Sequence, residues 1–152
     1  MDEQIILNRV LGIKEKLIQL QSFYINSDPI QEFDRVKIAS VNLSAVEMLF
    51  DYPIEYKCFL EHIGTVYIAY AGAFMLEVCL PSELEDCWWI SDQEIIESNN
   101  YRIIAFTDND EIFDLIFDIS KKPFKRYCTS EEISKMNFLE IVELKVDELL
   151  NN

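Results

Sequence analysis

Two residues near the middle of the chain have the spacing of a catalytic pair. Cys58 and His62 lie four residues apart on a predicted helix, with Glu55 one turn earlier, so that a thiolate and an imidazole could meet on one helix face. No glycine-rich nucleophile turn and no recognisable oxyanion site accompanies them. A free cysteine is often a core residue, and a histidine at a helix end is stabilised by the helix dipole. The structural interpretation is the stronger one, and no catalytic residue is predicted.

An acidic turn partly resembles a calcium-binding loop. Asp108, Asp110 and Asp114 would offer oxygen ligands, but a calcium loop that starts at Asp108 needs glycine and glutamate where this chain has Phe113 and Ile119. Aspartate and asparagine are also ordinary turn residues. The chain has one histidine and lacks a phosphate-binding glycine loop. We therefore expect neither a metal site nor a cofactor.

Charge is the most informative property of the sequence. The chain has 28 acidic and 13 basic residues, a formal net charge of -15. Twelve of the acids but a single base, Arg102, lie between Glu77 and Asp118. This stretch is also rich in aromatic and aliphatic residues, which indicates a folded surface and not an acidic tail. Such a surface attracts positive partners and repels nucleic acid and anionic membranes, so we expect a basic protein partner.

The predicted binding surface combines these acids with aromatic residues, which tight interfaces favour. It has two groups: Glu83, Glu85 and Asp86 around Trp88, and Asp108, Asp110, Glu111 and Asp114. Two alternatives remain open. Some proteins are acidic only for solubility, and exposed aromatic residues would equally serve a homodimer.

Length and composition are typical of one globular domain. Of the 152 residues, 50% are hydrophobic and 27% are charged, and only three are glycine. No apolar run is long enough to span a bilayer, and the N-terminal Met1-Asp2-Glu3 is acidic where a signal peptide would be basic. The four cysteines show no C-x-x-C spacing. We expect a cytoplasmic protein with reduced thiols.

Helical patterns lie at both ends of the chain. Residues 2–21 form a predicted amphipathic helix with apolar side chains at steps of three and four: Ile6, Val10, Ile13, Leu17 and Leu20. Asn137 and Glu140 form a capping box for a last helix that runs to about Leu150. Its predicted inward residues are Phe138, Ile141, Val142, Val146 and Leu149. Shorter helices are predicted at 44–50 and at 53–64, the second of which ends at Gly64.

Strand patterns lie between these helices. Strands are predicted at 36–38, 65–72, 73–81, 87–90, 102–106 and 111–119, with tight turns at Gly72 and at 107–110. Ser91 and Glu94 form a capping box for one more short helix, and Thr129 with Glu132 gives a further capping pattern. Central strands with terminal helices predict an α+β domain that has a mostly antiparallel or mixed sheet and helices at both chain ends.

Several motifs, in their order along the chain, resemble the SUKH superfamily of Smi/Knr-like immunity proteins. YPIEYKCFLEHIG at 52–64 is similar to the family's LP-x-x-Y-K-x-F-L helix, and these positions match: Pro53, Tyr56, Lys57, Phe59, Leu60 and Gly64. SDQEIIESNN at 91–100 resembles a later family helix. RIIAFTDNDEIFDLIFD resembles the family's strand pair at Ile104, Phe106, Asp108 and Asp118, and KMNFLEIVELKVDELL is similar to its closing helix.

The resemblance covers residues 44–150 and predicts a divergent member of the family. The usual double glycine after the first helix is reduced to Gly64, and Asp108-Asn109-Asp110 replaces a turn that normally contains glycine. The predicted organisation is one SUKH-like domain at 1–152, with a variable N-terminal helix and connection at 1–43 and a family-like core at 44–150. Within the core, Pro53, Tyr56, Phe59 and Leu60 are expected to be structural.

The resemblance also implies a function. It predicts a non-enzymatic bacterial immunity protein that binds a cognate toxin in a 1:1 complex and neutralises it. The expected toxin is a basic domain, typically a nuclease, delivered by neighbouring cells through contact-dependent or secreted systems. A nuclease binds polyanions, so its basic active site would complement an acidic surface. The alternative is a regulatory or scaffolding protein-binding module of the same fold.

Overall fold

Helices from both ends of the chain pack on one side of an antiparallel sheet. The computed structural model describes residues 2–26, 35–49, 52–70, 73–83, 100–108, 111–118, 125–127 and 136–151. In chain order the elements are α1 (Glu3–Asn26), β1 (Arg35–Ala39), α2 (Leu43–Glu47), α3 (Ile54–His62), β2 (Thr65–Tyr70), β3 (Ala73–Glu83), β4 (Asn100–Asp108), β5 (Glu111–Asp118), β6 (Lys125–Tyr127) and α4 (Phe138–Leu150). The predicted α+β class is confirmed.

The sheet is a simple meander. Its strand order is β1-β2-β3-β4-β5-β6, and each of the five pairings is antiparallel. Consecutive strands are therefore neighbours, as in successive hairpins. One row of paired residues crosses all six strands: Lys37, Tyr67, Glu77, Ala105, Asp114 and Tyr127. This row fixes the relative positions of residues that lie far apart in the sequence.

The terminal helices provide much of the core. The five predicted inward residues of α1 and the five of α4 are all buried. Both apolar stripes are therefore confirmed, although α1 continues to Asn26, beyond its predicted end. The helices also form ion pairs with each other: Arg9 Nε lies 2.9 Å from Glu143 Oε1, and Lys16 Nζ lies 2.9 Å from Asp147 Oδ1. The hydrogen bond to Glu143 raises the pKa of Arg9 above its ordinary value.

The helix that carries the strongest family-like motif is a structural element. Tyr56, Phe59 and Leu60 are fully buried in α3, and Pro53 precedes its first turn. The Phe59 ring meets Phe138 of α4 edge-on, with ring centroids 5.4 Å apart. This packing agrees with the structural role expected for these residues.

A glycine ends α3 for two physical reasons. Gly64 has a φ of 107°, which side-chain-bearing residues rarely adopt, and a Cβ at this position would lie 2.1 Å from the carbonyl oxygen of Ala39. The close approach joins the end of α3 to β1 just before β2 begins. Gly64, which was predicted to end this helix, therefore also allows a close contact between the end of α3 and strand β1.

The segment predicted as a variable addition, residues 1–43, contributes to the same core and the same sheet. It supplies α1, which contacts α3 and α4, and β1, which pairs with β2. The short strand β6 was not predicted. The predicted strand at 87–90, the helix after Ser91, the Gly72 turn and the Thr129 cap lie outside the described residues.

Candidate functional site

Four acids from the stretch between Glu77 and Asp118 lie on the β4–β5 hairpin. Asp108 and Glu111 are paired at the turn end of the β4–β5 hairpin, and Asp118 pairs with Asn100 at its open end. Asp114 lies between them, opposite Ala105 on one side and Tyr127 on the other. We call Asp108, Glu111, Asp114 and Asp118 the acidic hairpin. Of these four acids, Asp108 and Glu111 are directly paired in the register, whereas Asp114 and Asp118 pair with uncharged residues.

The register places Glu83, from the first predicted group of acids, away from Asp108 and Glu111 of the second group. Glu83 ends β3 opposite Tyr101, seven residues before Asp108 in β4. At about 3.3 Å per strand residue, this is a separation of roughly 23 Å along the strand. Glu83 therefore lies towards the open end of the acidic hairpin, whereas Asp108 and Glu111 lie at its turn. Glu85, Asp86, Trp88 and Asp110 lie outside the described residues.

Basic residues occupy the strands at the two ends of the strand order. β1 carries Arg35 and Lys37, and β6 carries Lys125 and Arg126, so acidic strands are flanked by basic ones. The Arg35 guanidinium carbon lies 5.3 Å from the centre of the Tyr67 ring. Charged residues on edge strands oppose edge-to-edge aggregation. This distribution was not predicted, because no element was assigned to residues 125–127 and no pairing partner was predicted for the short strand at 36–38.

The predicted Cys58–His62 pair lies in a cleft and not on the sheet. Both residues line an open cavity of about 480 Å³ formed by α1, α2 and α3. Burial raises the pKa of the Cys58 thiol, and the nearby carboxylates of Glu61 and Glu3 raise it further. A cysteine nucleophile needs the opposite shift, since the thiolate is the reactive form. The surroundings of Cys58 therefore favour a protonated, weakly reactive thiol.

The cavity has an apolar floor and charged margins. Its apolar lining is supplied by Ile6, Leu7, Leu43, Val46 and Ile54. Its charged lining is supplied by Glu3, Glu47, Glu61 and Lys57. We call this cavity the α1–α2–α3 cleft. The periodicity of α1 indicated its buried side chains, but the cleft depends on how three helices meet, which the periodicity of one helix does not determine.

Three further observations concern the part of the chain that the structure describes. Within it, no group of three or more histidine, cysteine, aspartate or glutamate side chains is arranged to hold a metal ion. None of its helices combines the length and the apolar character needed to cross a bilayer. Cys58 and Cys79 are both free thiols.

Comparison with known proteins identifies no relative. No protein-family model matches the chain, and neither a curated protein nor a solved structure does. The SUKH resemblance therefore stays a prediction based on the motifs at 52–64, 91–118 and 135–150. Arguments about function must start from the charges and surfaces of the chain itself.

Proposed function

We propose that this protein binds a basic protein domain through the acidic hairpin, and that the partner is a toxin which the protein neutralises in a 1:1 complex. The toxin class that best complements the surface is a nuclease, whose substrate-binding site must be basic. The protein acts in this proposal as a binding partner and not as an enzyme.

The observation that carries the proposal is the position of the acids in the sheet. Asp108, Glu111, Asp114 and Asp118 lie along one hairpin, which spans roughly 23 Å at about 3.3 Å per residue. Successive strand positions alternate between the two faces of a sheet, so positions 114 and 118 share one face and position 111 belongs to the other, and the proposed contact centres on the paired Asp108 and Glu111 at the turn. The flanking basic residues on β1 and β6 would restrict a basic partner to the middle strands.

The net charge supports fast association with such a partner. A chain with a formal charge of -15 attracts a basic domain before contact, and complementary charge raises association rates by orders of magnitude at low salt. An immunity protein benefits from speed, because the toxin acts as soon as it is free. The raised pKa of Cys58 disfavours the competing enzyme hypothesis, since it lowers the reactivity of the candidate nucleophile.

The first test is co-expression with the toxin domain encoded beside this gene, followed by growth measurement and pull-down. We expect rescue of growth and a stable 1:1 complex. Binding without rescue would support the regulatory or scaffolding alternative. A toxin that stays lethal and does not bind would exclude the immunity proposal.

The second test locates the interface. Asp108→Lys/Glu111→Lys changes two acids that are paired in the β4–β5 register, so a like-charged pair occupies these positions before and after the change. We expect the association rate at low salt to fall by about tenfold or more, with a smaller difference at high salt. The matched control is Glu15→Lys/Gln19→Lys/Ser22→Lys on exposed α1 positions, which changes the net charge equally. Equal rates for the two variants would show that the acidic hairpin is not the contact.

A further inference from the structure

The α1–α2–α3 cleft is a second surface with the properties of a binding site. Its cavity of about 480 Å³ is within the range of roughly 300–1,000 Å³ that ligand-binding pockets occupy. Leu43 and Ile54 stand at its margin with 55% and 41% of their surface exposed. Met48, which follows α2, is 79% exposed. Apolar side chains that remain exposed beside an apolar cavity are typical of an interaction site.

The margin of the cleft selects for positive charge. It has three carboxylates, on Glu3, Glu47 and Glu61, against one ammonium group, on Lys57. Among the residues that the structure describes, none of these three carboxylates has an ion-pair or hydrogen-bond partner. Their effect extends into the cleft, since Glu61 and Glu3 both contribute to the raised pKa of Cys58. An occupant with basic groups could pair with these carboxylates.

The backbone of the cleft excludes two other kinds of occupant. Its lining residues belong to three helices and to none of the strands, so the cleft offers no strand edge to an extended peptide. The first turns of α1 and α2 are capped by the side chains of Asp2 and Asn42, which accept hydrogen bonds from Gln4 and Ser44. These caps and the carboxylates disfavour an anion. The occupant must therefore form its backbone hydrogen bonds internally and still have apolar side chains to bury. An amphipathic helix meets both requirements.

We infer that the α1–α2–α3 cleft binds a basic amphipathic helix of a partner protein, with one or two of its apolar side chains in the cavity. Leu43, Ile54 and the cavity floor would contact the apolar side of that helix. Glu3, Glu47 and Glu61 would pair with lysine or arginine residues beside it. The inference does not depend on the proposed function, because the cleft and the acidic hairpin are built from different elements of the chain.

The test uses three labelled synthetic peptides of roughly 15 residues, a length at which a helix is marginal alone and can be stabilised by binding. The first has leucine at helical spacing with lysine on both flanks. The second replaces the lysines with glutamate, and the third replaces the leucines with serine. Fluorescence anisotropy with the full-length protein should show binding of the first peptide only.

Variants of the protein then locate the site. Leu43→Ser/Ile54→Ser changes exposed side chains, so the fold should survive, and we expect the Kd of the first peptide to rise tenfold or more. Ile18→Ser is the matched control, because Ile18 is 49% exposed on α1 and does not line the cleft. Asp108→Lys/Glu111→Lys should also leave the Kd nearly unchanged, which separates this site from the acidic hairpin.

Cys58 provides a readout inside the cleft. Saturating amounts of the first peptide should slow alkylation of Cys58, measured by mass spectrometry of the digested protein, and should leave alkylation of Cys79 unchanged. No binding up to about 1 mM would overturn the inference, and so would equal affinity of Leu43→Ser/Ile54→Ser and wild type. Concentration-dependent dimerisation that Leu43→Ser/Ile54→Ser abolishes would assign the cleft to a second copy of this chain instead.

Discussion

Replacing Phe59 with alanine tests whether α3 anchors the fold as its packing indicates. The Phe59 ring is 0% exposed and meets Phe138 at an interplanar angle of 87° with centroids 5.4 Å apart. Phe138 also meets Tyr56 edge-on at 5.5 Å, so the three rings form one cluster between α3 and α4. Removing the Phe59 ring leaves a cavity between two packed helices, α3 and α4, and a site of this kind relaxes only partially.

The expected loss of stability follows from measured truncations of buried aromatic residues. A fully buried phenylalanine replaced by alanine costs about 3–5 kcal/mol, a value that already includes the lost ring contact. With a urea m-value of about 2 kcal/mol per M, the unfolding midpoint should fall by roughly 1.5–2.5 M. For a chain of this size, each kcal/mol lowers the melting temperature by about 2–4 °C, so a decrease of at least roughly 6 °C is expected.

The assay is urea and thermal unfolding followed by far-UV circular dichroism, with Met48→Ala as the matched control. Met48 is 79% exposed, so its truncation should change stability by less than about 0.5 kcal/mol. A double-mutant cycle of Phe59→Ala with Phe138→Ala isolates the ring contact, for which we expect a coupling of about 0.5–1.5 kcal/mol. If Phe59→Ala unfolds at the same urea concentration as Met48→Ala, the packing between α3 and α4 described above is incorrect.

Three further predictions concern the backbone at Gly64, the buried hydroxyl of Tyr56 and the thiol of Cys58. Gly64→Ala should destabilise the protein by about 2–4 kcal/mol, because a Cβ would meet the carbonyl oxygen of Ala39 and φ is positive; a normal melting temperature would contradict this. Tyr56→Phe should lower the free energy of unfolding in urea by about 1–3 kcal/mol, because the buried Tyr56 hydroxyl donates a hydrogen bond to the carbonyl oxygen of Cys79. An unchanged free energy of unfolding would mean that water replaces the lost hydroxyl as the donor. Alkylation of Cys58 should be slower at neutral pH than that of a free thiol and should accelerate only above the ordinary thiol pKa, because burial raises its pKa. Rapid alkylation at pH 7 would revive the enzyme hypothesis.

Local sequence patterns determined the elements whose physical cause is local. The stripes of α1 and α4 were predictable because a helix with a period of 3.6 residues must place Ile6, Val10 and Ile13 on one side. The capping box was predictable too: Asn137 Oδ1 accepts from the Glu140 amide, and Glu140 Oε2 accepts from the Asn137 amide. Both depend on residues three or four apart, a distance over which sequence and geometry are directly linked.

Other features could not be read from local patterns. Lys145 is buried in α4 because its ammonium group lies 2.9 Å from Glu148 Oε2 and 6.0 Å from the centre of the Phe106 ring, which belongs to β4. The three residues of β6 form a strand because they pair with β5. The Phe106 ring and strand β5 both lie on other elements of the chain, so neither feature follows from the local pattern.

The candidate binding sites likewise combine properties that the sequence determines with properties that depend on the tertiary structure. The sequence by itself determined that the chain is strongly acidic and that the acids are concentrated between Glu77 and Asp118. Only the tertiary structure decided that Asp108 and Glu111 lie roughly 23 Å along the strand from Glu83, because strand register is a non-local property. It also decided that the first residues of α2 and α3, Leu43 and Ile54, border a cleft with α1. Charge is a sum over residues, which a sequence contains, whereas a binding surface depends on which elements meet.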